Sequence, residues 1–438
     1  MTGVLLLAVL TVLLGRWAGE GLAAGQGAAG DRWAVEGAVG LVQVHVILLL
    51  FDLAGWRWHP MALTLVFFLL VGLWTLIRQR SGNGRPVGRL PATEAAFHPP
   101  ALAAWGAVAL YGFLAVAGRI DLPDFVYHWG IKAHRAYLAQ GTDFAYLADP
   151  LDLAAHPDYP NLVPNLYGLT YTLGGGFDVA ASMLWSVLLF AAMVLSAQEA
   201  CRRLAIRGFG GQVTVGLMAV AVAMFGIGYR IAGGADWFMA LAPLLALPAL
   251  LVPRGLEDDL RLGAAAALAA GAKIEGPALA AVLALVWLIR RWRSGTWRWG
   301  GAILTLAPAA LVVVPWLALN LRHDLFQTTN TGWPDLSRGR EIALALVEIL
   351  NLPEWHFLPW VLLLLPVLLG WRSTRAIAWV CTGQLAFYLF VYFTAPVDVG
   401  FYVRSSFPRL LFHLVPVLLV ASALWLQRAD TRQKPLPS

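Results

Sequence analysis

Long apolar stretches separated by short polar ones run through this chain almost from end to end. Hydrophobic helices are expected at 2–16, 34–55, 60–78, 100–118, 178–198, 211–229, 237–252, 261–272, 276–290, 300–319, 356–371, 376–394 and 408–426. A helix rises 1.5 Å per residue, so about 20 apolar residues cross the roughly 30 Å hydrocarbon layer. The stretch 261–272 is too short to cross alone and reads as a half-span or as part of its neighbour. The pattern predicts an all-α polytopic membrane protein with about 11–13 transmembrane helices, forming one integral membrane domain over residues 1–438. The first apolar run has no basic segment ahead of it, so an uncleaved first span is preferred over a signal peptide.

The polar connections are of two kinds. Short ones are rich in arginine: Arg78, Arg80, Arg85 and Arg89; Arg202, Arg203 and Arg207; Arg290, Arg291, Arg293 and Arg298; Arg372 and Arg375; and Arg428, Arg432 and Lys434 in the tail. If the spans alternate, all five segments face one way, toward the cytoplasm by the positive-inside bias, and the mixed-charge loop 253–262 faces with them. The other face receives a long loop at roughly 119–177, the short segment 230–236, the corner Lys273–Glu275, a second loop at roughly 320–355, and 395–407. Within these, Asp124 to Gln140 reads as an interfacial helix that stops before Gly141, and 341–351 as a second surface helix. Pro157, Pro160 and Pro164 stiffen the remainder of the long loop.

Composition agrees. Hydrophobic residues make up 59% of the 438 and charged residues 13%, about half the charge of a soluble domain, and mean hydropathy is +0.69. The net charge of +6 comes from the arginine loops and is not a nucleic-acid signal. Cys201 and Cys381 are far apart and have no metal-ligand spacing, so neither a disulfide nor a zinc site is expected.

The candidate chemistry lies in the second set of loops. Asp124, His128 and Lys132 fall four residues apart and share one helix face. A carboxylate there suits a general base for a hydroxyl acceptor, although a polar stripe simply meeting water has the same spacing. Asp236 follows Gly233-Gly234-Ala235, where glycine permits close approach to a ligand; a carboxylate answering a helix dipole is the plainer alternative. Lys273 and Glu275 sit between two very apolar runs, a costly place for charge unless it is paired or functional. Lys132 and Lys273 are two of only three lysines. Arg322, Arg404 and Arg409 run against the positive-inside bias, and binding of phosphate oxygens or of headgroups would explain them. Asp124, His128, His156 and Asp158 have the donor types for a divalent cation but no diagnostic spacing, so no metal is assigned. The chain has neither a Walker loop nor a dinucleotide-binding glycine fingerprint.

The segments Asp124-Phe-Val-Tyr-His-Trp129-Gly-Ile-Lys132-Ala133 and His156-Pro-Asp-Tyr-Pro160-Asn-Leu-Val-Pro164 resemble the first outer loop of bacterial GT-C glycosyltransferases, nearest to the dolichyl-phosphate-mannose mannosyltransferase-like and Rgt-like group. Gly234-Ala235-Asp236, Lys273-x-Glu275-Gly276, Pro315-Trp316 before Arg322, and Ser405-Ser406-x-x-Arg409-x-x-x-His413-x-x-Pro416 are similar to later blocks of such proteins. The resemblance covers roughly residues 100–420. It implies a GT-C-type bundle and an inverting sugar transfer from a polyprenyl-phosphate donor to a glycan, lipid or protein acceptor, at the outer face of a bacterial cytoplasmic membrane. It also implies Asp124 as base, Asp236 as a second acidic residue, and Lys273, Arg322, Arg409 and Lys132 at the lipid phosphate. His156, Asp158 and Glu275 are expected at the substrate. No cofactor is expected. His128 and Phe125 depart from the pattern, which bears on the acceptor. A transporter or flippase of lipid-linked substrates, or a non-catalytic scaffold, are the competing expectations.

Overall fold

The computed structural model describes residues 2–22, 33–80, 99–118, 124–149, 156–206, 208–228, 230–253, 255–325, 333–350, 368, 371–394 and 398–433. Among these there is no β-strand, and helices form the whole architecture. In chain order they are α1 (Thr2–Leu22), α2 (Trp33–Ala54), α3 (Pro60–Arg80), α4 (Pro99–Gly118), a π turn at Phe125–Trp129, α5 (Gly130–Ala139), α6 (Phe144–Leu147), α7 (Leu162–Gly174), α8 (Val179–Arg203), α9 (Gly208–Gly228), α10 (Asp236–Leu251), α11 (Leu256–Ala272), α12 (Gly276–Arg293), α13 (Trp299–His323), α14 (Gly339–Leu350), α15 (Trp371–Thr394), α16 (Val399–Phe412) and α17 (Val415–Gln433).

Six described helices are long and apolar enough to cross a membrane: α2, α4, α8, α9, α13 and α15. The pair α16 and α17, bent by 50° at its junction, makes a seventh if it counts as one span. That is fewer than the 11–13 expected, for three reasons. Of α1 and α3 only the apolar stretches Thr2–Arg16 and Pro60–Leu70 are described continuously with their side chains, each too short to count. The stretch 356–371 lies almost wholly outside the described residues. Several apolar runs also prove too short or too charged at their ends to cross alone; α10 has 16 residues, and three arginines crowd the last turn of α12. The run read as a single span at 408–426 is instead two helices broken at His413 and Leu414.

The centre of the bundle is occupied by α10 and α11. Every residue from Asp236 to Leu250, and every residue from Asp258 to Ala272, is buried. A helix that is apolar all round has no solvent face and settles in the interior. In α11 the lining is alanine and glycine, which lets α10, α12 and α13 approach it closely. Gly276 shows how closely: a Cβ there would lie 1.7 Å from the carbonyl oxygen of Ala269.

Two expected loops are helical and buried. The tract 253–262 provides the first turns of α11, where Asp258, Asp259 and Arg261 are all inside the protein. Each charge has a partner from another helix. Arg261 pairs with Glu199 of α8, Arg203 with Asp258 at 2.7 Å, and Arg291 of α12 with Asp259 at 2.6 Å. The Trp287 indole also donates to Asp259, at 2.7 Å. Arg203 and Arg291 are therefore bound within the bundle rather than lying in free basic loops. Likewise the proline-stiffened tract does not continue as loop; from Leu162 it becomes α7, which accommodates Pro164 in its first turn and is buried from Leu162 to Tyr171. The surface helix expected at 341–351 is present as α14, with Ile342, Ala345 and Ile349 on its buried stripe.

Helices α8, α10, α11 and α12 all run between this ionic cluster and a second one. Asp236 opens α10, Lys273 follows the last residue of α11, and Glu275 precedes α12. The 16 residues of α10 span about 24 Å, so charge is gathered at two opposite ends of an apolar bundle.

Candidate functional site

Asp236 is the centre of the second cluster. Its side chain is fully buried. Arg409, in the last turn of α16, donates to its Oδ2 at 2.6 Å. Lys273 donates to Oδ1 at 3.1 Å, and His413 Nε2 lies 2.8 Å from the same oxygen. The other imidazole nitrogen of His413 lies 2.7 Å from the hydroxyl of buried Tyr388 in α15. The bend between α16 and α17 is what carries both Arg409 and His413 to this carboxylate from one segment. Lys273 also faces Glu275, at 3.7 Å, and Glu275 Oε2 has no hydrogen-bond partner.

Arg409 reaches outward as well as inward. The same Nη2 that binds Asp236 forms an ion pair with Asp124. The Asp124 side chain is 37% exposed and that of Asp236 not at all. One guanidinium thus joins a solvent-reachable carboxylate to a buried one, and Lys273 stands behind.

The backbone around Asp236 explains its position. Gly233 has φ +72°, and a Cβ there would lie 2.5 Å from Met183 Cε and 2.8 Å from Phe125 Cδ2. Its N–H donates to Ser186 at 2.7 Å. The glycine turn expected to admit a ligand instead admits Phe125, the residue next to Asp124, and so locks the π turn against the start of α10. Gly233→Ala is expected to cost about 1–3 kcal/mol, from the left-handed backbone and the overpacking together; a thermal-stability comparison in detergent checks it.

The π turn also alters the helical stripe. His128 is buried against the rings of Trp129, His156 and Tyr159, at 4.1, 5.1 and 5.2 Å between centroids. Neither of its ring nitrogens has a hydrogen-bond partner. Burial, with the positive charges of Lys132, His156, Lys273 and Arg409 added, holds it well below the usual histidine range, so it is neutral. His156, itself shifted down by burial, stacks on Tyr159 at 4.7 Å. Lys132 is buried and donates to the His156 carbonyl at 2.7 Å. Desolvation lowers Lys132 to about 7 against a smaller opposing pull from Asp158, while burial raises the Asp158 carboxyl.

A group with a depressed cationic pKa binds fewer protons folded than unfolded, so stability rises with pH between about 7 and the ordinary lysine value. Thermal stability is therefore expected to climb from pH 7 to pH 10, and Lys132→Met is expected to flatten that climb. A melting series across that range tests both.

Of the residues singled out in the sequence, Asp124, Asp236, Lys273, Glu275 and Arg409 come together in one network. Lys132, His156 and Asp158 form an adjoining cluster around His128 and Tyr159. Arg322 joins neither: it is exposed and donates to the Leu53 carbonyl at 3.2 Å, at the end of α2. Asp398 caps α16 through the Phe401 N–H at 2.7 Å, and Arg404 pairs with Glu348 of α14 at 3.1 Å; both are accounted for by local structure. Among the described residues, no three His, Cys, Asp or Glu side chains converge as metal ligands.

No family model matches the chain, and neither does any curated protein or solved structure. Its function is therefore read from the chain's own chemistry. His413 falls one turn beyond Arg409 in the sequence, whereas Tyr388 lies inside an apolar run with no polar neighbour to mark it. The helix break that exposes His413 to Asp236 has no glycine, and Pro416 beyond it is the one local cue.

Proposed function

We propose that this protein is a membrane glycosyltransferase of GT-C type, moving a sugar from a polyprenyl-phosphate donor to a hydroxyl acceptor at the outer face of a bacterial cytoplasmic membrane. The observation that carries the reading is the Asp124–Arg409–Asp236 arrangement. A partly exposed carboxylate and a buried one share a guanidinium, with a second cation, Lys273, on the buried side.

The roles follow from charge. The donor phosphate enters beside Arg409 and competes with Asp124 for it, because guanidinium binds phosphate oxygens bidentately. Asp124, released, faces the acceptor hydroxyl and takes its proton. The acceptor oxygen forms a bond to the anomeric carbon as the bond from that carbon to the phosphate oxygen breaks, with inversion. The electron pair leaves on polyprenyl phosphate, and Arg409 and Lys273 meet the charge as it develops. Asp236 is saturated by Arg409, Lys273 and His413, so it orients the cations and is not itself the base. The half-buried His156 and Tyr159 rings, backed by buried His128 and Lys132, offer a surface suited to stacking on a sugar.

The competing transporter reading expects binding groups near the bilayer midplane, at the breaks of discontinuous helices. Here Asp236, Lys273 and Glu275 lie at the ends of α10, α11 and α12; the break between α16 and α17, which brings Arg409 and His413 to Asp236, is the one feature shared with that reading. The test is deletion of the gene followed by mass spectrometry of envelope glycans and lipid-linked sugars. The expected result is loss of one hexose or pentose from a defined polymer with build-up of its lipid-linked form, both restored by the wild-type chain. Unchanged glycans and unchanged lipid-linked sugars would overturn the proposal.

A further inference from the structure

The far end of the bundle, opposite Asp236, holds a cavity of about 170 Å³ between the end of α10 and the end of α12. Leu250 and Trp287 form part of its wall, and Arg290, Arg291, Ser294 and Thr296 supply the polar groups. Among the described residues no carboxylate lines it, and Asp259 stands behind Trp287 and Arg291. Arg291 is engaged elsewhere, by Asp259 at 2.6 Å. Arg290 is not: among the described residues its one hydrogen bond is a long one, 3.4 Å, to the Leu251 carbonyl. A half-buried guanidinium with one long hydrogen bond among the described residues, in a concave site whose nearest described acid is taken by Arg291 and Trp287, carries an unmet demand for an anion.

The surroundings fix the depth of this cavity. Trp292 is 77% exposed and Trp299 75% exposed, and Trp297 lies between them. Exposed tryptophans grouped at the end of apolar helices mark the headgroup level of a bilayer. Arg293, exposed on the same turn, adds positive potential there. The hydroxyls of Ser294 and Thr296 sit at the rim, but their protons are engaged: Ser294 donates to the Arg291 carbonyl at 3.2 Å, and the Thr296 hydroxyl, 2.6 Å away, donates to Ser294.

We propose that this cavity binds the phosphate of an anionic membrane lipid, with Arg290 as the principal contact. The ligand chemistry is a phosphate ester; the aromatic girdle assigns it to a lipid rather than to free phosphate. This site is independent of the transfer site, about the length of α10 away.

Native mass spectrometry of the purified full chain, titrated with phosphatidylglycerol, phosphatidylcholine or inorganic phosphate, tests the proposal. Retention of phosphatidylglycerol above phosphatidylcholine is expected, with a loss of about tenfold in Arg290→Gln and a smaller loss in Arg290→Lys, which keeps the charge. Because Arg290 makes one weak internal bond, both variants are expected to keep the wild-type melting temperature, which is measured alongside. Equal retention of the two lipids would overturn the proposal. So would undiminished phosphatidylglycerol binding in Arg290→Gln, or binding of inorganic phosphate alone.

Discussion

Asp124→Asn is expected to lower the rate of sugar transfer by about 10²–10⁴-fold, the usual contribution of a positioned general base. The substitution keeps the shape of the side chain and removes its basicity. It also ends the ion pair with Arg409, but that pair is partly exposed and is expected to cost only about 1 kcal/mol. The variant should therefore accumulate in the membrane like the wild type and melt within a few degrees of it. Asp124→Glu moves the base by one methylene and should restore part of the activity. Radiolabel or mass transfer from donor to acceptor, measured at matched protein levels, reads the result. Activity within threefold of wild type in Asp124→Asn would remove the base assignment.

Asp236→Asn is expected to act on the fold and on transfer together. The carboxylate is fully buried, and three basic side chains meet it. Removing one partner of a buried ionic network leaves the others uncompensated and costs about 3–5 kcal/mol. Asp124 still balances part of Arg409, and Glu275 part of Lys273, which places the loss at the lower end of that range. Shortened half-life at elevated temperature in detergent, together with lost transfer at low temperature where the protein stays folded, is the expected pair of results. A folded variant with full transfer would show that the buried carboxylate positions nothing.

Much of this architecture was legible in the sequence, and the parts that were not share one cause. Apolar runs longer than about 18 residues announce themselves, because a helix in lipid has to be apolar along its whole length. The convergence of Asp124, Asp236, Lys273 and Arg409 was also legible, since each is an ionisable residue at the edge of an apolar run, on the face without the arginine loops. What misled was local polarity. Leu256-Glu-Asp-Asp-Leu-Arg-Leu262 reads as a solvated loop. It is buried because Glu199, Arg203 and Arg291 meet its charges from helices more than 30 residues away in sequence. The run of Glu257, Asp258 and Asp259 in a first helical turn was the available signal. Arg322 misled in the opposite direction: its position after Pro315-Trp316 suggested a phosphate contact, whereas its guanidinium closes off the end of α2.

The central claim is that the network around Arg409 breaks a sugar–phosphate bond. The most direct test places the purified chain in proteoliposomes made with lipids extracted from the deletion strain, which supply both donor and acceptor. Free polyprenyl phosphate is then followed by mass spectrometry. The account predicts that it appears with time, in step with the glycosylated acceptor. Passage of an intact lipid-linked sugar across the bilayer, with no polyprenyl phosphate released, would contradict it.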